Sequence, residues 1–269
     1  AYLILFAWVA FTVIIIGWIF AASLSTSREI FKGDVLKFAS GFHWENYVTA
    51  WKTQNVSIFF MNSLFYATIS CVGILLISAP AAYVLSRYTF LGNKTIKTSF
   101  VIGMSIPVIM IILPLFSIAT KAHLTGNRWL LIILYICLNV PFTTTFLLNF
   151  FGSLSKSYEE AAAIDGAGKW RQFFSVTVPI ITPVIFYNLV TQLCQAFQEF
   201  NGPYIITKGG PRNSTTLVSL LIYNSAFQQY DMGMASAMAW VLFVILMIFT
   251  IIAFLSQKYW VFYSDEEGK

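Results

Sequence analysis

Four polar side chains, Asn188, Gln192, Gln195 and Glu199, interrupt an apolar stretch at steps of four, three and four residues. On a helix that spacing puts all four on one face. Amides and a carboxylate in such a row can trade hydrogen bonds with a polyhydroxylated solute, with Tyr187 and Phe197 alongside as stacking surfaces. The same row would also serve as a polar seam with a partner helix, each bond contributing about 1 kcal/mol. A second group of carboxylates, Glu159, Glu160 and Asp165, lies in a charged, Ala- and Gly-rich segment and offers acceptors to a cationic partner. Gly166-Ala167-Gly168-Lys169 has the ending of a phosphate-binding loop, but Trp170 stands where Ser or Thr is required, and neither the upstream Gly nor a preceding strand is there. Cys71, Cys137 and Cys194 fall in apolar stretches and are expected as small core residues, while His43 and His123 sit alone in polar loops. No nucleophile elbow and no metal-spaced cluster occurs, so neither a catalytic nor a metal site is expected.

The elements that position these groups follow from composition. Of 269 residues, 58% are hydrophobic and 10% charged, which excludes a soluble protein and points to an all-α, polytopic membrane protein in the lipid bilayer. The net charge of +5 is scattered through polar loops without a run, so no nucleic-acid partner is expected. Charge-free intervals long enough for about 20 residues of spanning helix predict six transmembrane helices in a single domain covering 1–269. They fall at residues 2–24, 58–85, 100–119, 129–151, 179–200 and 232–255, with Pro80, Pro107, Pro114 and Pro141 inside them as tolerated kinks. Residues 215–223 are apolar but too short to cross and are expected as an interfacial helix.

Loop charge does not orient the chain. Alternate loops carry Arg87, Lys94, Lys97, Lys156, Lys169, Arg171, Lys258 and Lys269 on one side, against Arg28, Lys32, Lys37, Lys52, Lys121, Arg128, Lys208 and Arg212 on the other. The chain opens on Ala1 and is apolar at once; the first stretch is too long for a signal-peptide core, so it reads as a retained span, and a short N-terminal tail is expected to precede it.

The loop 152–178 has its own local logic. Ser157 followed by Glu160 fits a capping box for a helix starting at Tyr158; Gly166 and Gly168 break it; a second helical run covers 169–176, and Pro179 suits the first turn of the next span. A plain amphipathic loop with Glu160 as a cap would read the same way.

Within this loop Glu160-Ala161-Ala162, Gly166 and Val176-Thr177-Val178-Pro179 resemble the EAA loop of permease subunits of ATP-binding-cassette importers, and Glu159-Glu160-Ala161-Ala162-x-Ile164-Asp165-Gly166-Ala167 is similar to the maltose-type carbohydrate importers. Ala82-Tyr83-Val84-Leu85-Ser86-Arg87 resembles the Ala-Tyr-x-Leu-x-Arg of sugar permeases, and Pro107 and Pro114 have counterparts there. Lys208-Gly209-Gly210-Pro211 resembles the outer-loop stretch of one maltose-type permease class, whereas Phe197-Gln198-Glu199-Phe200 resembles the other class. The resemblance implies a type I importer permease fold in the cytoplasmic (inner) membrane of a prokaryote, with loop 152–178 and both termini in the cytoplasm. It implies that Glu159, Glu160, Ala161, Ala162, Ala163, Asp165, Gly166 and Ala167 couple to the ATPase; in such a subunit the polar row Asn188, Gln192, Gln195 and Glu199 is expected to line the substrate path or to form a seam with the partner permease, and Lys208, Gly209, Gly210 and Pro211 to meet a binding protein or to form a plain exposed turn. Implied partners are a second, related permease, two ATPase subunits and an extracytoplasmic sugar-binding protein. This chain would carry no cofactor, ATP and Mg being bound by the ATPase. The same superfamily also serves non-sugar solutes, and a stand-alone secondary transporter is the more distant alternative, with Glu199 as its one acidic coupling candidate.

Overall fold

The computed structural model describes residues 2–262 and consists of helices joined by short turns. They are α1 (Tyr2–Ser23), α2 (Ser27–Lys32), α3 (Glu45–Lys52), α4 (Val56–Arg87), α5 (Asn93–Ser105), α6 (Val108–Lys121), α7 (Arg128–Ser153), α8 (Ser157–Ile164), α9 (Lys169–Gln172), α10 (Val178–Ile180), α11 (Thr182–Gln198), α12 (Val218–Tyr223) and α13 (Met232–Trp260). Four helices, α1, α4, α7 and α13, are individually long and apolar enough to cross a membrane. Two bent helix pairs bring the number to six when each is counted as one span, so the described residues agree with the all-helical, six-span expectation. The loop charge at Lys269 lies outside the described residues.

The third predicted span is broken rather than kinked. Ile106 precedes Pro107, and the proline ring excludes the helical region for the residue before it; Ile106 takes φ −85°, ψ 119°, and α5 and α6 meet at 95°. Pro80, Pro114 and Pro141, by contrast, are carried inside α4, α6 and α7. The fifth predicted span, 179–200, is also broken, inside its first turn at Ile181, where residues 169–180 and 182–207 meet at a bend of 67°.

The chain divides into two compact units. The first joins the N-terminal helices up to Leu64 with Phe197–Ile248. Ala50 and Val56 pack there on Leu221, Met234 and Met238. Asp231 caps α13 by accepting from Met234 N at 3.1 Å and is itself held by the Ser27 hydroxyl at 3.0 Å. In the loop between α1 and α3, the buried Glu29 closes a capping box with Thr26 and accepts from both the amide and the hydroxyl of Ser40 at 2.9 and 2.8 Å. These bonds to the ionised form, the Thr26 amide foremost, hold its carboxyl down at about 2. His43, expected to be isolated, joins this network: Nε2 lies 2.8 Å from Ser40 Oγ and Nδ1 2.5 Å from Glu45 Oε1. The expected interfacial helix at 215–223 is α12, and it differs from expectation in being buried: Thr215, Thr216, Leu217, Val218, Leu220 and Leu221 are enclosed, with Val218 N donating to Ser63 Oγ at 3.2 Å.

The second unit comprises Phe65–Ala196 and the end of α13 from Phe249. Its core gathers Ala82, Tyr83, Leu147, Phe151, Ile181 and Val184 from α4, α7 and the start of α11. Phe186 closes it against Phe254 of α13, edge to face at 5.1 Å. Of the three cysteines only Cys71 is buried; Cys137, expected in the core, is exposed on α7.

Candidate functional site

The segment between α7 and α11 is clamped to the second unit from below and open above. Tyr83, near the end of α4, meets the rings of Phe151 and Phe173 edge to face at 5.8 and 4.9 Å. Four residues on, Arg87 donates from Nε to Glu159 Oε1 at 2.8 Å and from Nη1 to Leu154 O at 3.2 Å. Thr177 Oγ1 donates to the same Glu159 oxygen at 3.3 Å. Side chains of Arg87 and Glu159 are only 7% and 15% exposed, so this is a largely desolvated, charge-assisted pair. It ties the first turn of α8 to the end of α4, 72 residues away in sequence.

The turn inside the segment is equally determined. Gly166 sits at φ +79° with its N–H on Ala163 O, and Ala167 N reaches Ala162 O at 2.9 Å. This is the paired bonding of a Schellman motif, which needs a residue free of Cβ at the left-handed position. The buried Gln172 then bonds Ala167 O at 2.6 Å and accepts from Lys169 Nζ at 3.3 Å, fixing α9 under the turn. Where a plain second helix over 169–176 was expected, α9 is four residues long and runs into a π-helical turn, Phe173–Thr177. That wider turn puts both Phe173 and Thr177 on the inner side, against Tyr83 and Glu159.

The capping box expected from Ser157 and Glu160 does not form. Helix α8 starts at Ser157, one residue earlier than expected, with no side-chain cap from Lys156 before it; the Ser157 amide donates to Ser155 Oγ at 3.2 Å, and Glu160 is left exposed. Glu160, Ala161, Ala163, Asp165 and Gly166 are exposed, and Ala162 and Ala167 half-buried. Glu159 alone among the expected coupling residues spends its charge within this chain. Ile164 and Trp170, 87% and 79% exposed, add a large apolar contribution to the open side, where Trp170 stacks on Phe174 at 6.1 Å. An acidic group, small alanines and protruding apolar side chains together form a surface suited to docking rather than to catalysis.

The four-residue polar row is divided by the structure. Asn188 and Gln192 are buried in the second unit, where they line a narrow cavity of about 10 Å³ with Cys71, Thr143 and Leu189. Asn188 Nδ2 donates to Val184 O at 3.0 Å, while its Oδ1 and the Thr143 hydroxyl have no protein partner. Gln195 is exposed on α11. Glu199 lies past the helix end, in the first unit, where its Oε1 accepts from Gly202 N at 3.0 Å. Asn188, Gln192 and Gln195 share one face of α11 within an arc of about 60°, but only Asn188 and Gln192 are enclosed, and Glu199 leaves the row because α11 stops at Gln198. The exposed positions on α11 are instead Tyr187, Gln195 and Gln198, with Tyr187 stacked on Phe146 at 5.5 Å.

In the 208–211 stretch, Lys208 and Pro211 are exposed while Gly209 is buried at φ +80° against Thr216. Thr215 Oγ1 bridges Thr207 Oγ1 and Gly210 O, both at 2.7 Å, and Asn62 of α4 donates to Asn213 O at 3.1 Å. A part-buried hydroxyl and amide network thus presents Lys208 and Pro211 at its rim. Sequence reasoning missed Arg87 as the anchor of Glu159, and also Thr177 and Gln172; for Arg87 the signal was the Ala-Tyr-x-Leu-x-Arg pattern at the end of α4.

Apolar spans with a clamped helix–turn–helix between two of them define a membrane transport subunit. The chain belongs to the family described as binding-protein-dependent transport system inner membrane component, whose model matches residues 73–261. It is 44% identical over 147 residues to the probable ABC transporter permease protein YesP of Bacillus subtilis, covering 53% of this chain and 47% of that one. It is 35% identical over 182 residues to the diacetylchitobiose uptake system permease protein NgcG of Streptomyces coelicolor, covering 67% and 59%. The chain thus spans about half of each of these relatives' length. Its fold matches that of a chain in a bacterial ABC transporter involved in the import of the acidic polysaccharide alginate, with a TM-score of 0.76 over 97% of this chain and 95% of that one, at 20% identity.

Proposed function

We propose that this chain is the permease subunit of an ATP-driven importer that carries a sugar or oligosaccharide delivered by an extracytoplasmic binding protein. The observation that carries the reading is the α8–α10 segment, whose inner side is locked to α4 through Arg87 and Glu159 while Glu160, Ala161, Ala163 and Ile164 are left open. A helix so mounted moves as a lever with the spans it is bolted to. Docked on a separate ATPase, it would convert ATP-driven closure into alternation between outward- and inward-facing states. The relatives named for diacetylchitobiose uptake and alginate import support a carbohydrate as cargo.

On this reading α8 lies in the cytoplasm, as do both termini, and ATP and Mg are held by two copies of the ATPase. A second, related permease completes the pathway in the inner membrane. Gln195 is the member of the polar row open to a solute, and Asn188 and Gln192 support it from within. Lys208 and Pro211 face the binding protein. The test is copurification of the membrane complex followed by ATPase measurement across a panel of binding proteins loaded with different sugars. Stimulation restricted to particular sugar-loaded proteins is the expected result; a permease that copurifies with no ATPase overturns the proposal.

A further inference from the structure

Two π-helical turns in the first unit, Pro203–Thr207 and Asn224–Gln228, bring four aromatic rings together from separate stretches of chain. Phe200 stacks on Tyr204 at 4.9 Å, Tyr223 meets Phe200 at 4.9 Å and Tyr204 at 5.1 Å, and Phe227 lies 5.2 Å from Tyr223. Each pair is spaced four residues apart, and each widened turn starts within or between its pair. π turns carry a cost in helix geometry and are found mostly where side chains must be aimed for function. Burial alone does not account for this cluster, since Phe227 is 59% and Tyr204 39% exposed.

We propose that Phe200, Tyr204, Tyr223 and Phe227 form a platform on which the ring of a carbohydrate stacks as it enters the permease. This rests on the sugar-importer reading above and adds a site distinct from the polar row on α11. Aromatic faces recognise the C–H-rich face of a pyranose, and the amphipathic Tyr adds a hydroxyl at the edge. Beside the carboxylate of Glu199, the rings have the uncharged amides Asn201, Asn224, Gln228 and Gln229 near them in sequence, of which all but Asn224 are exposed. Amides donate to and accept from sugar hydroxyls. A cationic ligand, the other partner of aromatic faces, is disfavoured here: the adjoining carboxylate of Glu199 is committed to the Gly202 amide, and Lys208 and Arg212 are exposed in the same loop.

The experiment is saturation-transfer NMR on the membrane complex, irradiating ring protons and observing diacetylchitobiose, cellobiose and maltose in turn as probes. Transfer to at least one sugar is expected in the unaltered complex. Phe227→Ala and Tyr204→Ala should each lower it at least twofold, whereas Phe227→Trp and, as a control elsewhere, Trp44→Ala should retain it. Melting temperatures of the variants separate lost stacking from lost folding. Equal transfer in Phe227→Ala, transfer to none of the sugars, or transfer abolished by glycine betaine but not by excess sugar each overturns the platform. A complex stimulated by sugar-loaded binding protein yet indifferent to these substitutions would refute the platform alone and leave the importer reading intact; absence of any sugar-dependent stimulation would refute both.

Discussion

Replacing Glu159 by Ala removes the acceptor for Arg87 Nε and for Thr177 Oγ1, and leaves a guanidinium that is 93% enclosed with only Leu154 O as a partner. Loss of a charge-assisted bond at a largely desolvated site costs about 2 kcal/mol or more, because the abandoned charge keeps its desolvation penalty. That amount shifts the ratio of seated to unseated α8 by roughly thirtyfold. Amide exchange of α8 in the purified permease, measured without ATPase present, reads this directly. Glu159→Ala and Arg87→Ala should each accelerate exchange of residues 160–164 at least tenfold. The double variant should be little worse than either single one, since both remove the same contact. Glu160→Arg, altered only on the open side, should exchange as the unaltered protein does while losing coupled uptake. If Glu159→Ala exchanges within twofold of the unaltered protein, or if the two single effects add, α8 is not held by this pair and the lever argument fails.

Gly166→Val forces a branched side chain into a left-handed position at φ +79° and should lower stability by about 1–2 kcal/mol, seen as a lower melting temperature together with reduced uptake. The Glu29 clasp should be acid-labile: its folded carboxyl titrates near 2, below the ordinary 4.5, so its contribution is complete above about pH 4.5 and is lost as pH falls from there towards 2. The protection factor of the Ser40 amide, its exchange relative to an unstructured amide at the same pH, should fall over that window and stay flat in Glu29→Gln. Thr143→Val replaces a buried hydroxyl that has no protein partner by an isostere and should leave the melting temperature equal or raise it by the equivalent of about 1 kcal/mol; a clear fall would mean that the hydroxyl is satisfied by a bridging water.

Charge-free intervals located the spans because the cost of burying charge in lipid acts residue by residue along the chain. The break at Ile106 was within reach as well, since Pro107 acts on its immediate neighbour, yet Pro80, Pro114 and Pro141 look the same in sequence and stay inside helices. What separates them is tertiary packing. The turn at Gly166 was legible for a local reason, its left-handed φ; the cap was misassigned because the helix starts one residue earlier than expected, so that Ser157 is its first residue and its amide donates to Ser155 Oγ. The pairing of Glu159 with Arg87 joins residues 72 apart; the Ala-Tyr-x-Leu-x-Arg pattern marked Arg87, but nothing local to it named Glu159 as the partner. The row Asn188, Gln192, Gln195 and Glu199 shows the limit of periodicity: spacing gives the angle between side chains, but burial on one edge and a helix end at Gln198 decided which of them meet solvent or solute.

The central claim is that the open side of α8 is where an ATPase docks, and cysteine crosslinking tests it most directly. With Cys137 and Cys194 replaced, Ala161→Cys and Ile164→Cys should crosslink to the copurifying ATPase in nucleotide-sensitive yield, whereas a cysteine on the exposed outer-loop position Arg212 should not. Equal or absent crosslinking from α8, in a complex that still imports sugar, would contradict the account.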